Sequence, residues 1–172
     1  MFEQKALYGS LSLLVNVLRS VPFVILLILM IPLTKAITGT SLGVAGAIPP
    51  LVVGATPFFA RLVETALREV DRGIIEATQA MGASTAQIIF RALLPEARPG
   101  LWAAVTVTAI TLVSYTAMSG LIGGGGLGDL AVRYGHQRYQ PDVMLVTVAL
   151  LLILVQVLQM VGDHLVIRFS RK

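Results

Sequence analysis

Two charge-free runs, Gly100 to Gly128 and Val143 to Gly162, constrain this 172-residue chain more than any motif in it. A backbone in hydrocarbon must satisfy its own hydrogen bonds, and about 20 helical residues cross the roughly 30 Å core of a bilayer. Both runs are therefore predicted to span, over about 100–122 and 143–164. A third uncharged run, Ala36 to Ala60, carries Gly43, Gly46, Pro49, Pro50, Gly54 and Pro57. Those residues would break a helix in water but are tolerated in a membrane bundle, which predicts a span over about 43–65, bent near Pro49 and Pro50. The apolar stretch between Arg19 and Lys35 is too short to cross alone, so a fourth span is placed over about 11–33, with Arg19 snorkelling toward one interface. The expected fold is all-α: a polytopic helix bundle forming a single transmembrane domain over 1–172, with an insert at 71–95 between the second and third spans.

Composition points the same way, with 56% hydrophobic residues, a mean hydropathy of +0.84 and only 13% charged residues. The net charge of +4 sits at the ends of apolar runs, with no solvated basic patch interleaved with aromatics, so nucleic acid is excluded as a partner. The absence of cysteine removes disulfides, thiolate metal sites and cysteine nucleophiles, and His136 and His164 alone cannot form a zinc site. Met1 to Ser10 is weakly basic and no small-residue cleavage pattern follows the first apolar run, so the start reads as a cytoplasmic or interfacial lead-in and not a secretory signal. Placing the 71–95 insert in the cytoplasm puts Lys5, Arg19, Arg61, Arg68, Arg72, Arg91, Arg98, Arg168, Arg171 and Lys172 inside and leaves Lys35, Arg133 and Arg138 outside. That asymmetry fits the positive-inside rule, and it turns the glycine-rich loop after the third span outward.

The insert has its own punctuation. Asp71 can cap a helix that runs to Met81, Gly82 can end it, and Ser84 with Gln87 has capping-box spacing for a second helix ending at Pro95. Ile74, Ile75, Ala77, Thr78 and Met81 give the first helix a mostly apolar surface, which suits either a membrane interface or a groove on a partner.

Glu76, Ala77, Gly82, Leu94 and Pro95 fall at the spacing Glu-Ala-Ala, three residues, Gly, nine residues, Ile, one residue, Leu-Pro, with Thr78 and Ala92 departing from it. In this the chain resembles the permease subunits of bacterial ABC importers. Asn16 to Phe23, Met30-Ile31-Pro32, Gly39-Thr40-Ser41, Ala60 to Glu64, Tyr115 to Gly120 and Gly124 to Gly128 look like the methionine-uptake subfamily of those permeases. The resemblance implies a multi-pass bacterial inner-membrane protein that imports methionine or a related small amino acid by alternating access. Its implied partners are cytoplasmic ABC ATPase subunits, an extracytoplasmic substrate-binding lipoprotein, a second copy of the chain and membrane lipid. It assigns ATPase docking to Glu76, Ala77, Thr78, Met81, Gly82, Ala83, Leu94 and Pro95. It also implies five spanning helices with an outward N-terminus, against four here starting inside, so the family's first helix is expected to be missing from this sequence.

No Gly-Lys dipeptide occurs, so a phosphate-binding P-loop is excluded and ATP hydrolysis is expected on a separate subunit. Gly123, Gly125 and Gly128 have the spacing of a dinucleotide fingerprint but follow a spanning helix instead of a strand, so no cofactor is expected. Gly43 to Ala60, Gly100 to Gly128 and Val143 to Gly162 contain no Asp, Glu, His or Arg that could act as a relay, which disfavours an ion-coupled transporter outside the ABC class. A membrane enzyme lacks its constellation, and a purely structural membrane subunit remains open. Asp163 and His164 are expected to anchor the cytoplasmic end of the last helix. Along the third span, Thr108, Thr111, Tyr115, Met118 and Ser119 occupy neighbouring turns and are expected to line the path, with Met118 at an apolar constriction. Hydroxyls that simply bond within the bundle are the alternative.

Overall fold

The computed structural model describes residues 5–170; Met1 to Gln4 of the expected lead-in, and the basic Arg171 and Lys172, lie outside them. Helix α1 (Lys5–Ser20) turns by 102° into α2 (Phe23–Leu29). The cause is Pro22, which forces the preceding residue out of the α region and lacks the N–H needed to extend the ladder. Pro22 sits at φ −56°, ψ 137°, and the Ser20 hydroxyl donates to the Asn16 carbonyl at 2.8 Å in the last turn before the break. The single span expected over about 11–33 is therefore corrected to a sharply broken one. Beyond the break the ladder passes through Met30, whose N–H donates to Leu26 O, into α3 (Ile31–Thr38), which Gly39 closes at φ 76°.

Helix α4 (Gly43–Arg68) runs unbroken through Pro49, Pro50 and Pro57, so the bend expected near the proline pair does not interrupt it. All three prolines lie on its buried face with Gly46, Ala47 and Ala66. After α4 come α5 (Arg72–Ala80) and α6, a composite helix over 85–96. Helix α7 (Arg98–Met118) ends in a 3₁₀ turn at Ser119–Ile122. Helix α8 (Gly126–Leu130) extends through a π turn at Ala131–His136, and α9 (Pro141–Phe169) closes the bundle.

Helix α7 lies between α4 and α9, while α1, α2 and α3 pack along α4. The crossings are close because small residues face each other: a Cβ on Gly100 would sit 2.8 Å from that of Ala66, and one on Gly162 would fall onto the Thr106 side chain. Phe23, Leu26, Leu27 and Met30 form the main apolar cluster, joined by Leu51 and Tyr115. Gly43–Arg68, Arg98–Ile122 and Pro141–Phe169 are long and apolar enough to cross a membrane, and the bent pair brings the number to as many as four. Only 6% of the most apolar window of α9 is buried within the chain, so this helix turns its side chains to lipid or to another subunit.

Replacing Gly162 with valine should overpack the crossing with Thr106 and cost about 1–3 kcal/mol. The expected readout is a lower unfolding midpoint of the purified protein in detergent; an unchanged midpoint would mean that α7 and α9 do not approach this closely.

Candidate functional site

The insert between α4 and α7 is assembled by local hydrogen bonds that its own sequence supplies. The Asp71 carboxylate accepts the Gly73 N–H at 2.7 Å and starts α5. Gly82, at φ 78°, ends it: its N–H donates to Gln79 O at 2.9 Å and that of Ala83 to Thr78 O at 3.3 Å, a turn that a side chain at this φ would strain. Ser84 and Gln87 close a reciprocal capping box, at 2.8 and 3.4 Å, and start α6. Pro95 cannot donate to the Arg91 carbonyl, and the ladder ahead of it widens into the π turn Ile88–Leu93, where the Leu94 N–H reaches Ile89 O.

The residues expected to dock an ATPase separate into two groups. Glu76, Ala77, Met81 and Gly82 are exposed at the end of α5 and in the turn, with Met81 79% exposed. Thr78, Ala83, Leu94 and Pro95 are half-buried and shape the α5–α6 unit. The Thr78 hydroxyl donates to Ile74 O at 2.6 Å, so the departure from alanine at this position leaves no unpaired polar group. Phe90, which the motif spacing leaves unspecified, is 69% exposed on α6; a large apolar residue beside a motif proline is the only signal for it in the sequence. At the base of the insert, Glu64 pairs with Arg61 at 2.6 Å and with Arg68 at 2.8 Å, fixing the last turns of α4.

The residues expected to line a path do not form a strip of free hydroxyls. Thr108 donates to Ala104 O at 2.7 Å, Thr111 to Val107 O at 2.8 Å and Ser119 to Thr116 O at 2.6 Å, each within its own helix or turn. Tyr115 is stacked on Phe23 with centroids 4.4 Å apart and planes 4° from parallel, which places it against the main apolar cluster. Ser119 is buried beneath Gly124, while Met118 is 42% exposed. A cleft of about 330 Å³ opens between α4, α7 and α9 below the glycine loop, lined by Ala47, Leu51, Val113, Thr116, Ser119 and Leu151. The loop glycines have steric work of their own: Gly123, Gly125 and Gly126 take φ between 71° and 81°, and Gly128 lies against the Ala117 backbone. Asp163 accepts a bond from Gln159 at 2.8 Å on the same helix. Among the described residues no group of three potential metal ligands comes together.

The whole chain, residues 1–172, matches the family described as the binding-protein-dependent transport system inner membrane component. It is 52% identical over 172 residues to a probable D-methionine transport system permease protein MetI of Vibrio cholerae, spanning all of this chain and 76% of that relative. It is 49% identical over 163 residues to the methionine import system permease protein MetP of Bacillus subtilis, spanning 95% of this chain and 73% of the relative. A solved structure described as inward facing conformations of the MetNI methionine ABC transporter superposes with a TM-score of 0.95 at 50% identity, covering 99% of this chain and 79% of that one. The chain thus belongs to the family of inner-membrane components of binding-protein-dependent transport systems.

Proposed function

We propose that the chain forms the membrane pathway of an ATP-driven importer of methionine or a close relative, with two copies enclosing the path. The observation that carries this reading is the exposed, locally self-assembled α5–Gly82–α6 unit, in register with the importer motif in a chain whose relatives are methionine permeases. Glu76, Ala77, Met81 and Gly82 are the surface offered to a separate ATPase, and Thr78, Ala83, Leu94 and Pro95 hold that surface in shape. The opposite side of the bundle, with the glycine loop, receives an extracytoplasmic binding lipoprotein.

The geometry suggests how movement is transmitted. Ala97, 3% exposed, joins α6 to α7 with its N–H bonded to Leu93 O at 3.0 Å, and the Leu101 N–H is bonded to Ala97 O at 2.9 Å. The backbone ladder is thus carried across the joint. A displacement of α5 by the ATPase pair is passed through α6 to α7, and α7 carries Met118 at its far end. Closing the ATPases around ATP opens the path outward, hydrolysis resets it inward, and the permease itself makes and breaks no covalent bond. Met118 closes the path in the resting state.

Glu76→Lys should reduce recovery of the ATPase with the tagged permease at least tenfold, which is about 1.4 kcal/mol of binding. Gly82→Val should do the same by straining the turn. Full recovery of the ATPase with both variants would contradict the docking surface. Met118→Ala should raise the passive methionine leak of proteoliposomes without ATP, and a leak equal to wild type would remove Met118 from the constriction.

A further inference from the structure

Arg19 is an exposed charged side chain lying against α4. Its guanidinium carbon lies 5.9 Å from the centroid of the Phe58 ring. At 1.5 Å per residue, Phe58 is about 22 Å from the Gly43 end of α4 and about 15 Å from the Arg68 end. The 102° break at Pro22 directs α1 away from the line of α2, and α1 packs along α4, so Arg19 meets α4 at Phe58, three residues before Arg61 and the charged end of that helix. A charged residue beside a spanning helix usually has a partner of opposite charge. Among the described residues no carboxylate pairs with Arg19.

Beside Arg19 is a pocket of about 240 Å³ lined by Arg19, Phe23, Leu26, Gly54, Phe58 and Tyr115. Its apolar wall includes the stacked Phe23–Tyr115 pair, and Gly54 keeps it open: a Cβ there would reach to 3.4 Å from both Phe23 and Leu26. One side is therefore cationic and the other aromatic and aliphatic. A guanidinium can grip a carboxylate with two hydrogen bonds, and aromatic rings attract a thioether. The volume falls below the roughly 300–1,000 Å³ of drug-sized sites and suits one small amino acid.

We propose that Arg19 takes the α-carboxylate of the transported amino acid, with the substrate side chain against Phe23, Phe58 and Tyr115, as a transient station on the path. This rests on the methionine-importer reading. The chain has no cysteine, so Arg19→Cys places a single thiol in this subunit. In the assembled transporter in proteoliposomes, Arg19→Cys should lower ATP-driven uptake of radiolabelled methionine at least tenfold. An aminoethyl thiosulfonate, which restores a positive charge, should recover part of that uptake, and a sulfonatoethyl reagent should recover none. Equal uptake by wild type and Arg19→Cys, equal effects of the two reagents, or recovery confined to vesicles of anionic lipid, which would make a lipid headgroup the partner, each overturn the proposal. A second measurement needs no substitution: saturating methionine should slow phenylglyoxal labelling of Arg19 in the wild-type complex severalfold, and an unchanged rate overturns it. Absence of methionine uptake by the wild-type complex would instead remove the importer reading on which the station rests.

Discussion

Helix α7 is held between α4 and α9 by contacts that leave no space for a side chain at the glycine on either crossing. Gly100 meets Ala66 at one end, and Thr106 occupies the space left by Gly162 on the other side. Within a bilayer such contacts replace the hydrophobic drive that lipid cannot supply, since helix association there rests on close packing. The unit proposed to dock the ATPase and the residues proposed to line the path both hang on this helix. The α5–α6 unit enters it through the buried Ala97, and Tyr115, Met118 and Ser119 lie at its other end. Such packing suits the proposed transmission of movement from an external motor along α7.

The division of chemistry follows from the same constraint. The charge-free runs of the three long spans hold no Asp, Glu, His, Lys or Arg, and the Thr108 and Thr111 hydroxyls on α7 are bonded to carbonyls of their own helix. Polarity is concentrated at the ends: the Arg61–Glu64–Arg68 cluster at the base of the insert, and Asp129 beside Arg133, 2.7 Å apart, in the glycine-loop region. Arg19 departs from that pattern, and it lies where a pocket meets the stacked Phe23–Tyr115 pair.

Much of this is legible in the amino-acid sequence, because it is written in residues with one strong local preference. Asp71, Gly82, Ser84 and Gln87 fix the insert through contacts no more than five residues apart, and the three long spans follow from charge-free length. The first span is less legible. Its composition allows one helix over about 11–33, but Pro22 turns the chain by 102°, because backbone sterics outrank apolar continuity. The prolines of α4 act differently: the helix is uninterrupted through all three, which lie on a buried face. Least legible are the long-range pairs, Gly162 on Thr106 and Tyr115 on Phe23, which depend on how helices cross and leave no periodic trace. The spacing on α7 likewise leaves unread that Tyr115 stacks on Phe23 beside the main apolar cluster and that Ser119 lies buried.

The central claim is that this chain supplies the membrane path and a separate ATPase supplies the work. Its most direct measurement is accumulation of radiolabelled methionine in proteoliposomes holding the permease, its ATPase and the binding lipoprotein, with ATP on the ATPase side. Accumulation against a gradient that stops when ATP is withheld, and when an ATPase unable to hydrolyse it is substituted, is the predicted result. Accumulation that persists without ATP hydrolysis and follows an ion gradient would contradict the account.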